Sequence, residues 1–177
     1  MILFERSFAY TPLHVWGVMV DPDLWSLHTT GFRPEVGCEY RITHPAILGT
    51  RLLGTGDCTV VAADPGALLS VQFVGAVREG ESARWTISHR LTAENGATTL
   101  TTYLEGVDIN DHSEKVLMRI VTESTARSAH LLGERLADRY RIPGKGTAAG
   151  QAAPRGEQEN TPKLRQQSEG NGGGGGI

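Results

Sequence analysis

A lone imidazole on an otherwise apolar strand face is the first residue in this chain that could do chemistry. Residues 83 to 91 alternate so that Trp85, Ile87, His89 and Leu91 share one face, opposite Arg84, Thr86, Ser88 and Arg90, because successive strand side chains point to opposite sides. An imidazole placed there could exchange protons near neutral pH or hydrogen-bond a guest. The pattern sets no carboxylate beside it, so neither a triad nor a dyad can be assembled, and a satisfied core histidine is the stronger reading. His14, His28, His44, His112 and His130 lie on separate segments and never repeat at i, i+4, which leaves no legible metal site. Tyr40 is the second polar candidate, sharing the inner face of residues 36 to 44 with Cys38 and Ile42. Cys38 and Cys58 lack CxxC spacing and read as free, partly buried thiols. Gly54-Thr55-Gly56 sits within a strand and lacks the partners of a phosphate loop. Trp16 and Trp25 could rim a cavity, but on short apolar faces they read as core.

Hydroxyls supply the remaining candidates. A long helix from about Asp111 to Arg139 opens on Asp111-His112-Ser113-Glu114, spaced as in a capping box. At 100° per residue, Leu117, Ile120, Val121, Leu131 and Leu132 form one stripe, and Ser124 and Ser128 fall at its centre. Two hydroxyls where a packed helix would carry Leu or Ile point to an internal space or a close backbone approach, since burying unpaired polar groups is costly. The competing reading has both hydroxyls bonding back to their own helix carbonyls above a tightly packed sheet.

The elements that must position these residues follow from pattern and punctuation. Residues 2 to 9 read as a strand, after which Thr11 caps and Pro12 opens a helix carrying Val15, Trp16 and Met19. Asp21, Pro22 and Asp23 signal a second short helix ending before Gly31. Strands are expected at 36 to 44, 52 to 63, 67 to 75, 83 to 92 and 97 to 107, with a loop over 45 to 51 and turns at Asp64-Pro65-Gly66, Arg78 to Glu81 and Asn95-Gly96. Six antiparallel strands interrupted once by two short helices make an α+β domain rather than alternating βαβ units. Alternation turns Leu69, Val71 and Phe73 inward, as it does Leu100, Thr102 and Leu104, with Thr101 and Tyr103 as the alternative if register slips by one.

Composition narrows the function classes. The 177 residues, 39% of them apolar, suffice for one core, so residues 1 to 143 form one domain. From Gly144 to Ile177 the chain turns Gly- and Gln-rich with Leu164 and Ile177 as its only large apolar residues, a composition that predicts a disordered tail. A net charge of −3 with scattered charges gives no basic stripe, which argues against nucleic acid. Neither a membrane span nor a secretory signal is legible, and the chain reads as cytoplasmic.

The order of Val15-Trp16, Asp21-Pro22, Phe32 to Gly37, Gly56 to Val61 and Asp64-Pro65 resembles the START-like (SRPBCC) helix-grip superfamily over residues 2 to about 140. Within it, these motifs are most similar to the branch of heat-shock-protein-90 ATPase activator homologues. The resemblance implies a six-stranded curved sheet, two short helices after the first strand, and a long C-terminal helix. It also implies a cavity between sheet and helix, commonly used for small hydrophobic molecules, and it carries over no catalytic set. Tyr40, Phe73, Trp85, His89, Thr102, Leu117, Val121, Ser124 and Ser128 are the residues expected to meet such a molecule. No catalytic residue, metal or cofactor is assigned. Binding of a small hydrophobic molecule leads; a polyketide cyclase- or dehydratase-like enzyme using His89 or Tyr40, and a co-chaperone-like module with a protein partner, are the alternatives.

Overall fold

The computed structural model describes residues 1–25, 28–43, 48, 50–80 and 82–140. The expected tail, and most of the expected loop over 45 to 51, lie outside the described residues.

The chain runs β1 (Ile2–Phe8), α1 (Pro12–Met19), a single 3-10 turn (Pro22–Leu24), β2 (His28–Thr30), β3 (Glu39–Thr43), β4 (Leu52–Asp64), β5 (Leu68–Val77), β6 (Ala83–Glu94), β7 (Ala97–Glu105) and α2 (His112–Arg139). All strands join one antiparallel sheet in the order β1-β7-β6-β5-β4-β3-β2. The chain therefore leaves one edge at β1, crosses to the far edge through α1 and the 3-10 turn, and meanders back until β7 pairs with β1. This curved α+β sheet with a long C-terminal helix is the expected architecture, with two corrections.

The sheet has seven strands, not six, and the second short helix is only a 3-10 turn. Asp21 caps it as expected, its Oδ1 accepting the Asp23 N–H at 3.1 Å. Trp25 then takes an extended backbone, with its indole N–H bonded to the Met19 carbonyl at 3.1 Å. The β-branched pair Thr29-Thr30 is free to continue as an edge strand, with Thr29 opposite Ile42. A three-residue strand is too short to show its own period.

Local signals account for the other elements. Thr11 accepts the His14 N–H at 3.4 Å to open α1, which buries Val15, Trp16, Val18 and Met19. The β6–β7 hairpin turns on Asn95 and Gly96, both with positive φ (50° and 77°), as a tight mirror-image turn requires. Gly56 has a different purpose: a Cβ there would stand 1.9 Å from the Phe73 ring, so the glycine is the seat on which that ring lies.

Helix α2 is fastened at its two ends. At the amino end Asp111 Oδ1 accepts the Glu114 N–H at 2.9 Å, but Glu114 does not return the bond as a capping box would. Its buried carboxyl group instead accepts the Asp108 N–H at 2.7 Å and the Trp85 indole N–H at 3.2 Å, with Arg51 Nη2 at 3.4 Å. Arg51 also reaches Asp111 at 3.4 Å and donates its backbone N–H to Ser113 Oγ. The donors around Asp111, led by the Glu114 N–H, hold its carboxyl below the usual carboxylate range. At the carboxyl end Leu132 and Leu136 are buried, each contributing about 1.5–3 kcal/mol, Gly133 lies near Phe8, and Tyr140 stacks on His14 with ring centroids 4.0 Å apart. Between Leu117 and Ala129 no residue of α2 is buried.

Candidate functional site

A helix anchored at its ends and unpacked at its middle leaves room beneath it. The space is a cavity of about 200 Å³. Its sheet wall is built by inward-facing residues of adjacent strands: Tyr40 and Ile42 of β3, Cys58 of β4, Leu69, Val71 and Phe73 of β5, Trp85, Ile87 and His89 of β6, and Leu100 and Thr102 of β7. The helix wall is Leu117, Ile120, Val121, Ser124, Thr125, Ser128, Ala129 and Leu132, and Met19, Leu24 and Trp25 close one end. Tyr40, Phe73, Trp85, His89, Thr102, Leu117, Val121, Ser124 and Ser128, the nine residues singled out from sequence, all line this one space. Ile120, in the amino-terminal half of α2, both lines it and is 38% exposed.

Trp25 corrects an expectation, because it lines the cavity whereas Trp16 is buried core outside it. The turn carrying Trp25 is too short to display a face. Thr125 and Cys58 were also not singled out. Thr125 stands four residues after Val121 and three before Ser128, so helical spacing alone would have found it. Cys58 follows from register: it is paired directly with Tyr40.

The polar groups of the wall divide into those already satisfied and those still open. Trp85 and Trp25 spend their indole N–H groups on Glu114 and on the Met19 carbonyl. Tyr40 and Cys58 stand opposite each other across β3 and β4 with hydroxyl and thiol within reach of each other; burial and the neighbouring thiol push the tyrosine far above its ordinary value, and burial raises the thiol to about 11. Neither ionises near neutral pH. His89 Nδ1 lies 3.0 Å from Thr102 Oγ1, and burial lowers the imidazole to about 4, so it is neutral at pH 7. It keeps some accessible surface only because its ring faces the cavity.

Four polar atoms of the wall have no hydrogen-bond partner among the described residues: His89 Nε2 and the hydroxyls of Ser124, Thr125 and Ser128. Thr122, which points away from the cavity wall, does bond back to the Met118 carbonyl at 2.9 Å. The cavity-facing hydroxyls do not. Since no described side-chain polar atom is both buried and unpartnered, these four atoms are accessible. No Asp, Glu, Lys or Arg lines the wall among the described residues, nor does any group of three His, Cys, Asp or Glu there stand where it could hold a metal ion. No helix among them is long and apolar enough to cross a membrane.

No protein-family model matches the chain, and no curated protein matches it in sequence. Solved structures do resemble it. Protein MLL2253 from Mesorhizobium loti superposes with a TM-score of 0.63 at 23% identity over 80% of this chain and 98% of that one. The Q3J4M4_RHOS4 protein from Rhodobacter sphaeroides gives 0.55 at 18% identity over 76% and 91%. DynU16, a protein in the dynemicin biosynthetic locus, gives 0.54 at 20% identity over 73% of this chain. The chain spans 45% of DynU16's length. At such identities the likeness is one of fold alone.

Proposed function

We propose that this protein encloses a small, predominantly apolar molecule between its sheet and α2. The supporting observation is a roughly 200 Å³ space lined by aromatic and aliphatic side chains, with a few open hydrogen-bonding groups and, among the described residues, no charged ones. An engineered apolar cavity of about 150 Å³ takes up benzene, so this one has room for a guest of one or two rings. Apolar walls with sparse polar groups are what small-molecule sites generally present. The likeness to the heat-shock-ATPase-activator branch belongs to the same proposal. Its Gly56 to Val61 motif lies on β4, where Gly56 seats the cavity-lining Phe73.

Mass spectrometry of protein isolated from its own cells tests this reading. Under non-denaturing conditions the mass should exceed that of the denatured chain by one small guest, or uptake of one equivalent should follow from a panel of neutral ring compounds. A protein that carries nothing and takes up nothing from the panel would instead favour a module working through its outer surface.

A cyclase- or dehydratase-like enzyme is the second reading, favoured by the accessible His89 Nε2 and by the place of a fold relative, DynU16, in a biosynthetic locus. An imidazole lowered to about 4 is a weak base. Among the described residues no carboxylate lines the cavity to orient it, and binding is therefore the better supported of the two. Turnover lost in His89→Phe with folding intact would reverse that order.

A further inference from the structure

The hydrogen bond between β6 and β7 fixes more than the position of His89. Thr102 is fully buried, and its hydroxyl has no partner among the described residues except His89 Nδ1 at 3.0 Å. A hydroxyl proton in that position has a single acceptor within reach, the ring nitrogen, and leaving it unbonded would incur the full penalty of a buried polar group. Nδ1 is then the unprotonated nitrogen and Nε2 carries the hydrogen. Among the described residues Nε2 has no partner and is accessible, and the space its ring faces is the cavity. The sheet wall thus presents one fixed N–H donor. The helix wall presents three hydroxyls, each able to donate or accept.

From this arrangement we infer that the site selects an uncharged ring compound carrying a hydrogen-bond acceptor, such as a ketone or ether oxygen, which docks on the His89 Nε2–H while its polar edge meets Ser124, Thr125 and Ser128. The inference rests on the binding reading above and adds the chemistry of the guest. A carboxylate or phosphate of the same size would enter without a cation to meet it, since among the described residues no Lys or Arg lines the wall, and the desolvation of an unpaired charge opposes it. An amine would find no carboxylate among the described residues of the wall. A pure hydrocarbon would fill the space and leave the N–H donor unbonded, an unfavourable outcome for a buried polar group.

Two measurements test this separately. Nitrogen NMR of the imidazole at about pH 7 should show Nδ1 as the pyridine-like nitrogen and Nε2 as the protonated one; the opposite assignment would overturn the inference whatever the protein binds. Calorimetric titration with three compounds of matched shape, 2-acetylnaphthalene, 2-ethylnaphthalene and 2-naphthoate, reads the selectivity. The ketone should bind about tenfold more tightly than the hydrocarbon, the worth of one hydrogen bond, and the carboxylate should show no saturable binding. His89→Phe, with folding checked by circular dichroism, should abolish the ketone's advantage and leave hydrocarbon binding. Equal affinity of ketone and hydrocarbon, or carboxylate binding as tight as the ketone's, would reject the proposed selectivity while sustaining the cavity as a binding site. Absence of binding by all three rejects both.

Discussion

His89 and Thr102 show how a single pair sets the character of the cavity. The unfolded chain carries an imidazole with the ordinary value of 6.5, whereas burial lowers it to about 4 in the folded protein. Between those values the unfolded state binds a proton that the folded state does not. The contribution is complete above about pH 6.5 and is lost as pH falls toward 4, amounting to on the order of 3 kcal/mol. Urea unfolding at about pH 7 and pH 4.5 should therefore show a marked fall in midpoint for the wild type and a much smaller one for His89→Gln. An equal fall in both would trace the acid sensitivity to other groups. The inward face of His89 was readable from alternation within one strand. Its bond to Thr102 was not, because the pairing register of β6 with β7 is a property of two strands together, and Thr101 or Tyr103 would have satisfied the same pattern.

Elements made mostly of one repeating signal were legible, and those dominated by tertiary contacts were not. The alternation of β5 and β6 and the turn at Asn95-Gly96 gave those strands nearly their observed limits, whereas β3, expected over 36 to 44, spans only Glu39–Thr43. The 3-10 turn and β2 escaped because three residues carry no period and Trp25 is held by its bond to Met19 rather than by its neighbours in sequence. Glu114 was read as half of a capping box, and only the fold brings Trp85, Asp108 and Arg51 around its carboxyl. Gly56 is a similar case: as a strand glycine it looked incidental, yet it is the seat of the Phe73 ring, with Gly75 also pressed by that ring. Gly56→Ala would set a methyl group 1.9 Å from Phe73 Cε2, and the ring can escape only by rotating off β4 and into the cavity. The variant should lose about 1–3 kcal/mol of stability, measured by denaturant unfolding, together with affinity for the naphthyl ketone. Unchanged affinity in a folded Gly56→Ala protein would show that Phe73 does not shape the space.

At the scale of the whole molecule, the cavity is a consequence of how α2 is attached. Its amino end is tied to β6 and to the residue before β4 through Trp85, Arg51 and Glu114, and its carboxyl end to β1 and α1 through Leu132, Leu136 and the His14–Tyr140 stack, while no residue between Leu117 and Ala129 is buried and the cavity lies beneath those turns. Ser124 and Ser128 sit in that span with hydroxyls unbonded to their own helix, which is the opposite of what a helix settled on a solid core would show. The stability of the fold then resides in the two ends, and the middle is open to change. Replacing both serines by leucine should fill the space with aliphatic volume, removing two polar groups from an apolar wall. The double variant should keep or raise its thermal midpoint, since filling an apolar void adds contacts without displacing any, and it should no longer take up a ring compound. A singly substituted Ser128→Leu protein should fall between the two in affinity. Unfolding of the double variant, together with solid packing around Ser124 in the wild type, would mean that α2 rests on the sheet along its whole length and that there is no room beneath it for a guest.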